Sequence, residues 1–291
     1  MTATRIRLLQ CGRTSLDFEM AVTGDPERLM RQSAPDEPAT HEWLHHPIYA
    51  FVIEHSEGRI LLDTGVSPDF QRRWKHPTYP DLMGYKPLPG ELFTERLEQQ
   101  GFAIEDFDYV VLSHLHTDHA GNAELFKQAG CKIIVHEDEL RGAVTQKSGL
   151  LREDDITLWG VTSPQGFVHR EFGFLVPDRA TTVYADMEIM RNVWVVSLPG
   201  HTWGSIGLAV KTEHSGWVLL AVDAMYLAAN YRKPFVGSML NHNQEQWAHS
   251  ALKIRKLAEK YDMTIIPGHD DYAIHHPHDG SGEVAPLESE Y

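Results

Sequence analysis

The sequence predicts an α/β fold. Nine apolar runs of strand length recur along the 291 residues, and most of them are rich in Val and Ile. Several runs are apolar at every position, which is typical of strands whose two faces are both covered. Other segments carry apolar residues at helical spacing, so helices are available to cover those faces.

The predicted strands are short and are spread along the whole chain. They are residues 5–9, 49–53, 59–62, 109–112, 132–135, 193–198, 206–210, 217–222 and 263–266. Helices are predicted over 91–99, before Gly101, and over 122–128, which opens at Asn122. A third helix, over about 244–260, shows the clearest apolar stripe, formed by Trp247, Ala251, Ile254, Leu257 and Ala258.

Three segments interrupt this pattern. Residues 23–46 contain prolines and several charges and predict a long loop or arm, and residues 138–192 mix short turns with aromatic side chains. The polar tail, 270–291, is expected to fray. Because neither a short-period repeat nor a Gly/Ser linker divides the chain, we predict one domain over 1–291, with irregular insertions at the first two segments.

The charge balance excludes several classes of function. Lys and Arg number 26 against 41 Asp and Glu, which gives a net charge of −15 with the 18 histidines neutral. An acidic surface repels nucleic-acid phosphates and anionic membranes, so neither is an expected partner.

No apolar run reaches the length of a membrane span, and the amino-terminal residues do not resemble a signal peptide. Two cysteines, Cys11 and Cys131, cannot form a disulfide framework, so buried thiols and a cytoplasmic location are expected.

One motif concentrates metal-binding side chains. Residues 113–122 follow a buried strand and precede a helix, and they carry three histidines and an aspartate. In an extended stretch, residues i and i+2 point the same way, so His114 and His116 can share one metal ion. Asp118 and His119 follow after the chain turns and can face a neighbouring metal ion. A chance cluster of surface histidines is the alternative, and the tight H-x-H-x-D-H spacing argues against it.

Four further strands run out into residues of the same kind, namely Asp63, His201, Asp223 and His269. One such residue alone is most simply a solvated strand end, but together with the motif they favour a common site. One closed four-ligand site cannot use all the candidates, so two metal ions with a bridging carboxylate are predicted. The candidate ligands are His114, His116, His119, His201, His269, Asp118 and Asp223. Imidazole and carboxylate donors without thiolate favour zinc, with iron, manganese and cobalt as alternatives.

These residues resemble those of the metallo-β-lactamase superfamily, from the strand that begins at residue 59 and enters LLDTG to PGHDD at 267–271. The resemblance implies an αβ/βα sandwich, in which two mixed β-sheets are flanked by helices and carry the metal site at one edge. It also implies a role for each candidate. His114, His116 and His201 would hold the first metal ion; Asp118, His119 and His269 would hold the second; Asp223 would bridge them, and Asp63 would hydrogen-bond the ligands.

Within that superfamily the chain is most similar to the N-acyl-homoserine lactonases. The stretches YAFVIEHSEGRILLDTG and HLHTDHAGN resemble their entry strands and metal loop, and Tyr226, three residues after Asp223, resembles a tyrosine that reaches the substrate. The chain departs from the lactonase pattern at Val222, where those enzymes usually have Gly, and at Trp203, where they keep a small residue. Trp203 bears on the shape of the pocket and hence on the acyl-chain preference.

The expected reaction is hydrolysis of a neutral ester, with a small-molecule lactone as the partner. Two nearby cations lower the pKa of a shared water, and the resulting bridging hydroxide would attack the lactone carbonyl carbon. The first metal ion and the Tyr226 hydroxyl would stabilise the oxyanion. The second metal ion would accept the ring oxygen, and Asp118 would pass a proton to it. A core tyrosine with a bonded hydroxyl is the alternative for Tyr226.

Other functions stay open from the sequence alone. A different lactone, such as a γ-lactone or a catabolic lactone intermediate, and a thioester hydrolysed in the manner of glyoxalase II would use the same metal motif. A metal-binding module without catalysis is a different class, and the complete ligand set argues against it. A homodimer is predicted chiefly from the frequency of such assemblies.

The remaining notable side chains receive structural assignments. We expect His136 to be structural, because it matches no ligand position of the family. His275, His276 and His278 are assigned to the solvated tail. His41, His45 and His46 are assigned to the surface, with the rim of the pocket as the alternative. Trp43, Met20 and Phe18 are candidates for an acyl groove, the core or a dimer contact.

Overall fold

Two β-sheets that pack face to face form the centre of the fold. The computed structural model describes residues 4–23, 42–73, 84–145, 173–175, 180–231 and 237–270. Helices lie against the outer face of each sheet. The predicted sandwich of two mixed sheets flanked by helices is therefore confirmed.

The first sheet has six strands. They are β1 (Arg5–Asp17), β2 (Trp43–His55), β3 (Gly58–Leu62), β4 (Tyr109–Val111), β5 (Lys132–His136) and β6 (Thr181–Val183). They lie side by side in chain order. The pairs from β1 to β3 are antiparallel, and the pairs from β3 to β6 are parallel.

The second sheet has five strands. They are β7 (Met187–Met190), β8 (Val193–Ser197), β9 (Ile206–Lys211), β10 (Trp217–Val222) and β11 (Thr264–Pro267). The strands also lie in chain order, so β7 and β11 form the two edges. Strand β11 pairs parallel to β10, and the other pairs are antiparallel.

Alternation along the strands explains the uninterrupted apolar runs. On β3, Ile60 and Leu62 face the second sheet and belong to the core between the sheets, whereas Leu61 faces the outer helices. Strand β4 does the same with Val111 inward and Val110 outward. Because both sides of these strands are covered, no position along them favours a polar residue.

The helices are α1 (Phe18–Ala21), α2 (Phe70–Arg73), α3 (Phe93–Gln99), α4 (Thr117–Ala120), α5 (Ala123–Gln128), α6 (Glu137–Thr145), α7 (Ala228–Tyr231) and α8 (Gln244–Tyr261). Helix α8 is the longest of those described. Its first turn is capped by the Asn243 side chain, which accepts a hydrogen bond from the Gln246 amide at 3.0 Å. The apolar stripe predicted for this helix packs on the outer face of the second sheet.

Two segments that the sequence assigned to irregular structure contain regular elements. Residues 43–46 begin β2, where Trp43 pairs with Asp17 and His46 with Thr14. Within 138–192 lie most of α6 and all of β6 and β7. Strand β6 has three residues and β7 has four, so neither is long enough to give a detectable apolar pattern.

Some predictions fall on residues 24–41, 146–172 or 271–291, outside the described residues. They include most of the predicted arm, His41, and the tail with its three histidines. One domain over the whole chain also stays a prediction.

The two cysteines are buried free thiols, as predicted. Burial raises the pKa of Cys11 to about 12 and also raises that of Cys131, which keeps both in the unreactive thiol form. Every helix among the described residues is too short or too polar to span a membrane.

Candidate metal centre

The site lies at one edge of the sandwich, where strands of both sheets end. In the first sheet, β3 and β4 are parallel and lead to Asp63 and to the histidine motif. In the second sheet, β8, β10 and β11 share one direction and lead to His201, Asp223 and His269. The Ile206 amide donates to the Ser113 carbonyl at 2.9 Å and ties the two sheets together there.

The backbone beside these residues is tightly constrained. A Cβ on Gly268 would collide with Asp223, and a Cβ on Gly200 would collide with Trp247 of α8. Val222, immediately before Asp223, has a φ of 46°, which a β-branched residue rarely adopts. A glycine at this position would take the conformation without strain.

The first cluster of metal-binding side chains contains His114, His116, His201 and Asp223. All four are buried, and one donor atom from each lies within 4.8 Å of the others. His116 Nδ1 is 3.0 Å from His114 Nε2 and 3.1 Å from His201 Nε2. Nitrogen ligands of a tetrahedral zinc ion stand about 3.3 Å apart when each bond is about 2.0–2.1 Å, so this spacing suits a metal ion.

The second cluster contains Asp118, His119 and His269, which are also buried. Asp118 Oδ2 lies 3.6 Å from His119 Nε2 and 3.7 Å from His269 Nε2. Helix α4 begins directly after His116 and carries Asp118 and His119 in its first turn. The change from extended chain to helix therefore directs these two residues to a second cluster.

Asp223 belongs to the first cluster but also faces the second, with one carboxylate oxygen towards each group of histidines. Its Oδ2 is 3.1 Å from His201 Nε2 and 3.9 Å from His114 Nε2. Its Oδ1 is 3.1 Å from His269 Nε2 and 3.4 Å from His119 Nε2. This is the geometry that a bridging carboxylate needs.

The outer nitrogens of three histidines are held by the surrounding chain. Asp63 accepts from His119 Nδ1 at 2.8 Å and also from the amide and hydroxyl of Ser113, each at 2.7 Å. The Ser113 hydroxyl is 3.0 Å from His114 Nδ1, and His269 Nδ1 lies 2.8 Å from the carbonyl oxygen of Pro47. Such contacts fix the orientation of a histidine ring so that its other nitrogen can bind a metal ion.

The site concentrates negative charge around its imidazoles. Burial alone would lower the pKa of His119, but the carboxylates of Asp223, Asp118 and Asp63 raise it to about 10. Burial alone would raise the pKa of Asp223, but His269, His119 and His201 hold it well below its usual range. The carboxylates thus favour positive charge at the centre of the site.

Three atoms at the centre lack hydrogen bonds of acceptable geometry, although all three are buried. They are His119 Nε2, His269 Nε2 and Asp223 Oδ1. Buried polar atoms nearly always have a partner, so convergent atoms of this kind point to an ion. The two clusters therefore fit a dinuclear metal site. They bring together all seven residues proposed from the sequence, whose individual roles as ligands stay predictions.

Tyr226 lies beside both clusters and has an unexpected partner. Its ring centroid is 4.4 Å from that of His269 and 6.4 Å from that of His201. Its hydroxyl oxygen is 2.7 Å from Nε2 of His46, a residue that is only 3% exposed. The assignment of His46 to the surface is therefore wrong. The two residues are 180 positions apart, so no local pattern could have revealed the contact.

Glu139 is a second residue that the sequence did not single out. Its side chain is completely buried on α6, and its two oxygens accept from the Leu115 amide at 2.9 Å and the Gly204 amide at 3.0 Å. Burial raises the pKa of this carboxyl group. The sequence offers one indication of this burial. Glu139 lies four residues before Ala143, which is buried, so the two side chains share the inward face of the helix.

The other side chains named from the sequence lie outside the two clusters. His136 binds the Asp138 amide at 3.2 Å, in keeping with a structural role, and His45 is exposed. The Trp203 ring centroid lies 4.5 Å from that of His242, with the two rings tilted, and the indole packs against Gly142 of α6. Phe18 packs on the small apolar cluster that contains Tyr226, the Met20 carbonyl accepts from the Met239 amide, and Trp43 is 59% exposed.

The fold and the site define a class of protein. Residues 45–269 match the family model of the metallo-beta-lactamase superfamily, and the chain belongs to that superfamily.

Its relatives within the superfamily include lactonases. N-acyl homoserine lactonase AiiB of Agrobacterium fabrum is 32% identical over 77% of this chain and 79% of its own length. An N-acyl homoserine lactonase of Bacillus cereus is 26% identical over 93% of this chain and 94% of its own. A crystal structure of an AiiA mutant of B. thuringiensis with N-decanoyl-L-homoserine at the active site has a TM-score of 0.70 and 25% identity. The match covers 93% of this chain and 95% of the chain in that crystal structure.

Proposed function

We propose that this protein is a dinuclear metal hydrolase that opens the lactone ring of N-acyl-homoserine lactones. The observation that carries the proposal is the position of Tyr226, whose ring lies beside a histidine of each metal-binding cluster. A hydroxyl at that place can donate to the carbonyl oxygen of an ester held between the clusters. The likeness to named lactonases over most of the chain supports a lactone as that ester.

We further propose zinc as the metal. The donors are imidazole and carboxylate groups, with no thiolate, and the donor spacing in the first cluster suits a small tetrahedral ion. Iron, manganese and cobalt accept the same donors and are the alternatives. When bound, two such cations lower the pKa of water and polarise a carbonyl group.

The chain's own residues supply the remaining chemistry. Asp223 presents an oxygen to each cluster and fixes their separation. Tyr226 donates its phenolic proton towards the carbonyl oxygen as negative charge develops there. The ester bond of the ring breaks, one water is consumed, and Asp118 takes a proton from that water and passes it to the departing ring oxygen. The products are a carboxylate and an alcohol on one open chain.

A panel of substrates tests the proposed function. Zinc-loaded protein is assayed on N-hexanoyl-homoserine lactone, a γ-lactone without an acylamino group, a glutathione thioester and a β-lactam. We expect the first compound to show the highest kcat/KM. A preference for the thioester would assign the site to another branch of the superfamily, and no turnover on any compound would indicate a metal-binding module.

The predicted homodimer and cytoplasmic location remain proposals of the same kind. The buried thiols of Cys11 and Cys131 support a reducing compartment. Analytical ultracentrifugation of the purified protein tests the oligomeric state directly.

A further inference from the structure

A short hydrogen-bonded chain joins the two clusters through Ser113 and Asp63, which belong to neither. Asp63 comes directly after β3, and Ser113 comes two residues after β4, the parallel strand beside it. The Asp63 amide donates to the Val111 carbonyl at 3.0 Å, and the Ser113 amide donates to Asp63 Oδ1 at 2.7 Å. Both residues are 1% exposed. The paired strands therefore hold the hydroxyl and the carboxylate in a fixed arrangement.

One oxygen of Asp63 receives hydrogen bonds from both directions of this chain. Asp63 Oδ2 lies 2.8 Å from Nδ1 of His119, in the second cluster, and 2.7 Å from the Ser113 hydroxyl oxygen. That hydroxyl oxygen lies 3.0 Å from Nδ1 of His114, in the first cluster. His119 therefore reaches the carboxylate directly, whereas His114 reaches it through Ser113.

The other nitrogen of His114 fixes the direction of these hydrogen bonds. His114 Nε2 faces the other members of the first cluster and lies 3.0 Å from His116 Nδ1, so it is the atom available to a metal ion. A neutral imidazole that binds a metal ion through Nε2 carries its proton on Nδ1. In the loaded protein, His114 Nδ1–H therefore donates to Ser113 Oγ. The proton of that hydroxyl is then donated to Asp63 Oδ2.

A carboxylate at the end of such a chain strengthens the histidine at its other end. Hydrogen bonds in series polarise one another, and a histidine that donates its outer N–H is a better electron donor to a metal ion. Loss of the hydroxyl would also deprive His114 Nδ1–H of this acceptor in a ring that is only 1% exposed. The hydroxyl of Ser113 thus has a consequence for metal binding that its volume alone does not have.

We propose that Ser113 is a positioning residue that joins His114 to the Asp63 carboxylate, so that one buried carboxylate supports a histidine of each cluster. The inference rests on the proposed dinuclear metal hydrolase, because it assigns Ser113 to the same metal site. It requires the hydroxyl group of Ser113, whereas a packing role would require only a side chain of suitable size.

Two variants of equal size separate the hydroxyl from the packing of the side chain. Ser113→Thr keeps the hydroxyl, and Ser113→Val has the same shape without it. Ser113→Ala removes the hydroxyl and adds no atoms. Each is combined with His269→Ala, which impairs the second cluster, or with His116→Ala, which impairs the first. Competition with a chelator then measures the zinc affinity of the remaining cluster, and this measurement needs no turnover.

The proposal predicts an effect confined to the first cluster. In the His269→Ala background, we expect Ser113→Val and Ser113→Ala to bind zinc about tenfold more weakly than Ser113→Thr. In the His116→Ala background, the difference should be less than about threefold, because His119 keeps its own bond to Asp63. Wild-type affinity in Ser113→Ala, equal affinities of Ser113→Val and Ser113→Thr, or equal differences in both backgrounds would overturn the proposal.

A double-mutant cycle tests whether Ser113 acts through Asp63. Asp63→Asn keeps the shape of the side chain but removes its charge. When Asp63→Asn and His269→Ala are both present, Ser113→Ala should change the zinc affinity by less than about threefold instead of about tenfold. An undiminished effect would show that the hydroxyl serves His114 without the carboxylate, which contradicts the proposal.

Turnover separates this inference from the proposed function. Zinc-loaded wild-type protein is assayed on N-hexanoyl-homoserine lactone beside the affinity measurements. If Ser113→Ala weakens zinc binding as expected but the wild type opens no lactone, the proposed function is wrong and the inference stands. If the wild type opens the lactone but Ser113→Ala binds zinc with unchanged affinity, the inference alone is wrong.

Discussion

At the scale of single residues, the position of Asp223 is the most tightly constrained by its neighbours. Each of its oxygens faces a different cluster, Gly268 lies against its carboxylate, and the residue before it has a φ of 46°. Backbone strain of this kind persists where the surrounding structure enforces it, and it concentrates at functional sites. The strain at Val222 follows from the direction in which Asp223 must point.

The strain predicts an unusual response to Val222→Gly. Val222 and Val218 lie on the same strand, are 4% and 2% exposed, and belong to the same core between the sheets. Both substitutions remove the same buried side chain, but only Val222→Gly also relieves a strained backbone. We therefore expect it to cost about 1–3 kcal/mol less unfolding free energy than Val218→Gly. Urea unfolding of the two metal-free variants measures the difference, and equal losses would show that Val222 is unstrained.

At the scale of elements, the site depends on loops from two sheets that must keep a fixed separation. The loop after β4 carries His114 and His116, and the loop after β8 carries His201. Glu139 at the start of α6 binds one amide from each loop and so links them. A buried carboxylate that accepts two backbone N–H groups is difficult to replace.

Replacement of this carboxylate by an amide tests the link. In Glu139→Gln, an NH₂ group faces one of the two amides, which leaves a buried donor unpaired. We expect a loss of about 1–3 kcal/mol in unfolding free energy and faster release of metal to a chelator. The control is Glu137→Gln on the same helix, whose partly exposed side chain lies 3.8 Å from Arg141. Glu137→Gln should change the unfolding free energy by no more than about 0.5 kcal/mol. Equal effects of the two variants would show that the Glu139 carboxylate does not stabilise the site.

Elements differ in how far the sequence predicts them. Buried strands and the residues at their ends follow from local patterns, so the sequence alone predicts the strands that lead to the seven candidate ligands. Strands β6 and β7 were missed because residues such as Thr181 and Met187 are exposed. His46 and Glu139 were missed for another reason, since their partners are distant in the chain and only the folded structure brings them together.

At the scale of the whole molecule, the site is a small cation-binding region in an acidic protein. The chain carries a net charge of −15, and two divalent cations leave it negative. Two bound divalent cations would place positive potential at the edge where the two sheets meet. Such a site suits a neutral ester, which gains negative charge only during the reaction.

The most direct test of the dinuclear hydrolase is a zinc titration of metal-free protein. Turnover of N-hexanoyl-homoserine lactone and bound zinc per chain are measured at each step, the second by mass spectrometry of the separated protein. We predict that metal-free protein is inactive and that turnover reaches its maximum at two zinc ions per chain. Full turnover in protein shown to be free of metal would contradict the account.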